Sequence, residues 1–341
     1  MNTPTKLGAY AIGLAALFAA ATGVGIAVGP VGPADDEHSG ANHSSSAPDS
    51  APEASHTAHD SGSEETEETA PEPPPGLMVS DRGYTLELAQ DTAPAGPGTP
   101  LAFRILGADG QPVTSYEESH DKALHLIAVR RDTTGFQHVH PDLAADGTWT
   151  VSLDLSAGSW RVFADFVPAE GELSGQTLTL GADLAVAGNH RPAPLPNPSA
   201  VDRVDGYTVT LDGTMVPGEE TELTLSVSRD GKPVTDLQPY LAAYGHLVAL
   251  RAGDLAYLHV HPAGEPGDGR TEPGPDITFY ATAPSTGDYR LFLDFQHDGV
   301  VRTAEFTAPA GEGTASGDAA PDSASGDQPD ADDPDADGHS H

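Results

Sequence analysis

The chain has 341 residues, 52 acidic against 15 basic side chains, a formal charge of −37 and no cysteine. That charge makes nucleic acid a poor partner. The missing thiols exclude disulfides, thiolate ligands, a lipidated cysteine and cysteine nucleophiles.

The N-terminus carries Lys6 and then an uncharged stretch, residues 7–31, whose 25 residues are long enough as a helix to cross a hydrocarbon layer of about 30 Å. An uncleaved membrane anchor with Lys6 inside is favoured over a cleaved signal sequence, whose apolar core normally runs about 7–15 residues. Residues 1–33 are thus read as anchor or signal, placing the bulk of the chain at the membrane on the extracytoplasmic side, or secreted if cleaved. Residues 34–76 hold 11 acidic side chains and no Lys or Arg. Such a segment cannot bury enough apolar surface to fold and is expected to be disordered, as is the acidic tail 309–341. Removing those 20 carboxylates leaves 32 acidic residues against 14 Lys and Arg, so the remainder is also negative.

From Leu77 onward, short runs of Val, Leu, Thr, Phe and Tyr alternate with turn clusters, and helical periodicity is absent. Strands are expected near Tyr84–Leu88, 101–106, 125–131, 136–140, 148–153, 160–166 and 177–186. Seven short strands in about 105 residues predict an all-β immunoglobulin-like sandwich over 77–188. Within residues 160–166, Trp160, Val162, Ala164 and Phe166 alternate with Arg161, Phe163 and Asp165, and the first set is taken as the core face. A Pro-rich spacer, 189–201, leads to a second sandwich, 202–308, so the fold class is two tandem all-β sandwiches.

The second sandwich repeats the first. His125-Leu-Ile-Ala-Val-Arg followed by His138-Val-His140-Pro recurs 121 residues later as His246-Leu-Val-Ala-Leu-Arg followed by His259-Val-His261-Pro, and Gly110, Pro112, Val113 and Thr114 recur at the same offset. Farther on the offset grows to 129, so about eight extra loop residues fall in the 263–275 stretch. On a strand, His138 and His140 point to one face with Cβ atoms about 7 Å apart, a spacing suited to two ligands of one ion. A four-residue loop, 132–135, sets Val129 opposite His138 and Ile127 opposite His140, which brings His125 onto the same face. A loop one residue longer or shorter would turn it away.

Asp165 and Asp294 fall on the non-core side of their strands beside Phe163 and Phe292, where each can orient an imidazole or pair with Arg161 or Arg290. Val139, Leu258 and Val260 alternate with the histidines, so the histidine face is expected to be the less buried one. His120 is an added nitrogen in the first copy, where the second has Leu241, and His297 is an added one in the second. Neutral imidazoles without thiolates suit copper first, with zinc as the alternative. Only Met1, Met78 and Met215 are present, too few for a thioether-rich copper(I) site. His38, His43, His56, His59, His339 and His341 lie in the acidic end segments, where they can raise the local concentration of metal ions.

The His-Leu-(Ile/Val)-x-(Val/Leu)-Arg run followed by Phe/Tyr-x-His-Val-His-Pro resembles exported bacterial β-sandwich proteins associated with heavy-metal binding and copper handling. The resemblance covers roughly residues 77–308. It implies an immunoglobulin-like fold and metal ligands at His125, His138, His140, His246, His259 and His261. The expected function is that of a membrane-anchored, extracytoplasmic metal-binding protein for metal tolerance or delivery; the alternative is a structural or protein-binding module whose histidines brace hairpins. No motif places a general base, a nucleophile elbow or a phosphate loop, so an enzyme is not expected. No partner protein is indicated.

Overall fold

The computed structural model describes residues 73–311. The expected anchor, the acidic linker up to residue 72 and the tail from residue 312, with their six histidines, lie outside the described residues. Among the described residues every regular element is a strand, and no helix is long and apolar enough to cross a membrane.

The first copy folds as two facing sheets. One orders its strands Ser80–Asp81, Tyr84–Leu88, Gly96–Leu106, Thr148–Leu155 and Asp142–Leu143. The other runs Thr92–Ala93, Leu178–Val186, Gly158–Pro168, Leu124–Arg130 and Gln137–Val139, with Tyr116–Glu117 paired to Gly158–Pro168. This is the strand order of an immunoglobulin sandwich, and all seven expected strands are present with ends shifted by a few residues. The second copy repeats the arrangement, with Gly245–Arg251, Gly287–His297 and Val300–Ala310 forming its three-stranded sheet. The last strand thus extends two residues into the stretch assigned to the tail.

The alternation in residues 160–166 holds: Trp160, Val162, Ala164 and Phe166 are buried with Phe103, Ile105 and Leu180 in the first core. Tyr289, Leu291, Leu293 and Phe295 do the same with Val209 and Phe279 in the second. The opposite faces correct the expectation of exposure. Ile127, Val129 and Phe163 of the first sandwich pack with Val248, Leu250, Leu255 and Phe292 of the second in a third core, so the histidine-bearing sheets are pressed against each other. Phe136 stacks on Phe292 with ring centres 4.1 Å apart and planes 4° from parallel. Strands buried on both faces read as unbroken apolar runs. Leu-Ile-Ala-Val and Leu-Val-Ala-Leu are such runs.

Two chain segments are tied into this boundary. Pro75 and Gly76, placed in the linker by composition, are ordered: the Pro75 carbonyl accepts from Tyr257 N at 3.0 Å, and the Gly76 carbonyl from Arg161 Nη2 at 2.7 Å. Gly76 takes φ +75°, and a Cβ there would sit 2.7 Å from the Phe163 ring, so only glycine passes between the sandwiches at that point. The Pro-rich spacer is pinned where Ala193 N donates to Asp132 at 2.8 Å.

The first hairpin departs from the expected register by two residues, with Ile127 opposite His138 and Leu126 opposite Val139. Asp132 builds a wider loop than the one foreseen, accepting from Arg130 at 2.8 and 2.9 Å and from Thr134 Oγ1 at 2.8 Å. A shift of two preserves parity, so His125 still joins the face of His138 and His140. In the second copy the pairing of Leu250 with Tyr257 persists, but His259–Pro262 then joins the other sheet, beside Asp276–Thr282. The longer return loop of this copy lets that segment run along the far sheet.

The third core predicts that the two sandwiches unfold together. Phe292→Ala removes its central ring and should cost about 3–5 kcal/mol, as buried aromatic truncations do. Calorimetry should show one cooperative transition moved to lower temperature; two separate transitions in the unmodified chain would contradict the shared core.

Candidate metal centre

His125 extends from Leu124–Arg130 into the boundary between the sandwiches, directly across the ladder from Asp165. It is 8% exposed, and the His138 side chain 5%. His138 Nε2 lies 3.0 Å, and His140 Nε2 3.2 Å, from His125 Nδ1. One nitrogen from each of the three residues thus falls within 4.8 Å of the other two.

The partners of the outer nitrogens determine where the ring protons are. His125 Nε2 lies 2.9 Å from the Ser119 carbonyl, which only accepts, so Nε2 carries the proton and Nδ1 is a bare lone pair. His138 Nδ1 donates to Asp294 Oδ2 at 2.9 Å, which leaves Nε2 bare as well. With His138 neutral, two unprotonated nitrogens face each other at 3.0 Å, an arrangement that a proton on His138 Nε2 or a cation between the rings relieves. Burial first, and then the charge of a protonated His138, push the His125 imidazole down to about 3, so His125 itself does not carry the proton. Burial likewise pushes His140 to about 4. A metal ion about 2.0–2.1 Å from each nitrogen would set ligand nitrogens about 3–3.4 Å apart, as found here.

The supports of the triad cross the sandwich boundary. Asp294 is buried in the second sandwich; its other oxygen accepts from Thr303 Oγ1 at 2.6 Å. It forms a carboxylate–histidine pair with His138, which fixes the orientation of that ring. Asp165 has the matching position in the first sandwich, accepting from Thr179 Oγ1 at 2.8 Å, and burial raises its carboxyl to about 6. Neither aspartate pairs with the arginine beside it: Arg161 takes Asp183 and Arg290 takes Glu305.

Among the described residues no second triad is found. His246 mirrors His125, with Nε2 at 2.8 and 3.0 Å from the carbonyls of Tyr240 and Leu241, so Nδ1 is its lone-pair atom, and burial lowers its pKa to about 4. His261 is exposed, and the backbone of His259 pairs with Thr282 in the other sheet. His297 stands apart, on the core-facing parity of its strand, held by Tyr207 Oη at 2.7 Å and Asp236 at 3.0 Å. His120, His125, His138, His246 and His261 instead line one cavity of about 200 Å³ between the sandwiches, with Asp165 and Tyr257 on its wall. A histidine cluster was expected on each sandwich, with sharing between them left open; the face-to-face packing places residues of both on one cavity. The Ser119 and Tyr240 carbonyls and the reach of Asp294 to the other sandwich were not foreseen, and the recurrence of Asp165 as Asp294 was the one sequence signal for them.

Comparison with known proteins finds a family described as "Domain of unknown function (DUF8832)", matched twice, at residues 78–183 and 202–312. No curated protein matches the chain significantly. Among solved structures, the Escherichia coli adhesin FdeC aligns at 15% identity and a TM-score of 0.22, over 67% of this chain and 64% of its own. The Yersinia pseudotuberculosis adhesin InvE aligns at 13% and 0.20, over 66% and 58%. A Salmonella alpha-2-macroglobulin aligns at 13% and 0.22, over 69% and 15%. The chain therefore spans less than two thirds of the length of each.

Two outcomes check this electrostatic arrangement. In the metal-free chain, long-range proton–nitrogen correlation should find His125 and His246 protonated at Nε2 and His138 at Nδ1, with the His138 preference lost in Asp294→Ala. The depressed imidazoles also determine the sign of the pH dependence: their contribution is complete above about pH 6.5 and declines as pH falls toward 4, where the unfolded chain takes up protons that the folded chain refuses. Denaturant midpoints at pH 7 and pH 4.5 should therefore differ, and the difference should shrink in His140→Gln.

Proposed function

Taking the chain as a tandem member of the family described as a domain of unknown function (DUF8832), to which it belongs through both copies, we propose that it binds a d-block metal ion at the boundary between its sandwiches. The observation that carries this reading is the approach of His125 Nδ1 to His138 Nε2 at 3.0 Å and to His140 Nε2 at 3.2 Å, with the outer nitrogens of His125 and His138 already held by a carbonyl and a carboxylate. His125, His138 and His140 would hold the ion, while Asp294 and the Ser119 carbonyl orient the first two rings. All three donors are neutral imidazoles, for which copper(II) ranks above zinc(II) in intrinsic affinity; zinc is the alternative because three histidines also suit it. Copper(I) is disfavoured by the surroundings: Met215 is buried in the second core and Met78 lies on the surface.

The reading extends to location and purpose. The uncharged residues 7–31 support a membrane anchor with the sandwiches outside the cytoplasm, or secretion if that stretch is cleaved. The acidic, histidine-containing ends support a collecting role, drawing cations toward the folded part for tolerance or delivery. Binding and release of an ion require no reaction.

Calorimetric titration of the full chain with Cu(II) and Zn(II) should show a class of sites tighter than about 10 μM, the range expected of a preorganised site rather than of scattered surface histidines. His138→Ala/His140→Ala should abolish that class. Bound ion at a hundredfold excess over Kd should also stabilise the fold by about 2.7 kcal/mol, visible as a raised melting temperature. If binding is absent or unchanged in the double variant, while His125→Ala still destabilises the metal-free chain, the histidines brace the fold instead.

A further inference from the structure

The cavity contains more imidazole than one ion requires, and the rings fall into two groups by distance. Within the triad, ring centres are 5.3 Å apart for His125 and His138, and 5.0 Å for His140 with each of the others. An ion about 2.0–2.1 Å from two imidazole nitrogens at a roughly tetrahedral angle sets ring centres about 5 Å apart. His120 and His246 have the same separation, 5.2 Å, although they come from different sandwiches. Their distances to the triad are longer: 6.5 Å from His246 to His125, 6.2 Å from His246 to His138, and 6.1 Å from His120 to His125.

Both members of this pair have a nitrogen to offer. The Nε2 proton of His246 goes to backbone carbonyls, leaving Nδ1. His120 Nδ1 lies 3.3 Å from Ser119 Oγ, which leaves Nε2. His120 sits in a two-residue turn with φ +50°, followed by Asp121 at +61°, conformations that non-glycine residues seldom adopt. Leu241 and Ala242 make the same turn in the second copy at +53° and +59°, so the turn belongs to the repeat. What differs is the side chain: Leu241 is buried, whereas His120 is exposed and lines the cavity.

We propose that His120 and His246 form a second cation position, bridging the two sandwiches, in a cavity whose wall also carries Asp165 and His261. This inference rests on the triad reading and makes the cavity a two-ion site for borderline divalent ions such as Zn(II) or Cu(II). One ion is held by the first sandwich with an aspartate of the second behind it; the other is gripped directly from both sides.

The test uses the full chain, loaded with Zn(II), dialysed and counted by native mass spectrometry. His120→Ala/His246→Ala should retain one ion fewer than the unmodified chain, and His138→Ala/His140→Ala should lose the other. Because His246 also holds a turn, His120→Ala alone, at an exposed residue, is the second variant and should weaken the later-filling ion at least tenfold. Equal counts in the unmodified chain and in His120→Ala/His246→Ala would overturn the second position and leave the triad standing. Loss of every ion in His246→Ala would make that residue a fourth ligand of the triad's ion and overturn it too. An ion lost with His120 and His246 but not with His138 and His140 would remove the triad reading instead.

Discussion

The structure depends on the burial of one sheet of each sandwich against the other. Phe136 on Phe292, together with Ile127, Val129 and Phe163 against Val248, Leu250 and Leu255, makes a third core with no counterpart in an isolated sandwich. Apolar burial is non-directional, but these rings and branched chains fix the offset between two rigid sheets to within a fraction of a side chain. That offset brings Asp294 within hydrogen-bonding reach of His138 and His120 within reach of His246. The site is thus a product of packing between domains.

Burial also determines the chemistry. In water, a cluster of five histidines would share protons with the solvent and repel cations once protonated. Between the sandwiches, desolvation disfavours the charged form of His120, His125, His140 and His246, and backbone carbonyls and an aspartate face the outward nitrogens of His125, His246 and His138. The inward nitrogens of His125, His138 and His140 are thereby turned toward one another. Polar groups placed this way in an otherwise apolar boundary suggest a purpose other than stability, since a hydrophobic boundary would close at lower cost.

Much of this was legible in residue order. Alternation in residues 160–166 gave the core face correctly, and the spacing of His138 and His140 placed them together. The expected hairpin register was two residues off and still gave the right answer for His125, because side-chain direction repeats every second residue. The failures have one cause. Phe163, Phe292, Arg161 and Arg290 were assigned to an outer surface because alternation distinguishes two faces and says nothing about what covers the second. The unbroken apolar runs at 124–130 and 245–251 carried that information, since strands wet on one side do not read that way.

Local order therefore settled strand positions, core faces, the duplication and the shared face of His125, His138 and His140, all of which follow from periodicities spanning a few residues. It could not settle that two copies of one motif would have different fates. His138 stays beside its own hairpin partner strand, while His259–Pro262 crosses to the far sheet, His246 meets His120 across the boundary, and His297 is drawn off to Tyr207 and Asp236. Those outcomes depend on loop length and on the docking of one sheet against another, which bring together residues from tens of positions to more than a hundred positions apart, and no short-range pattern encodes them.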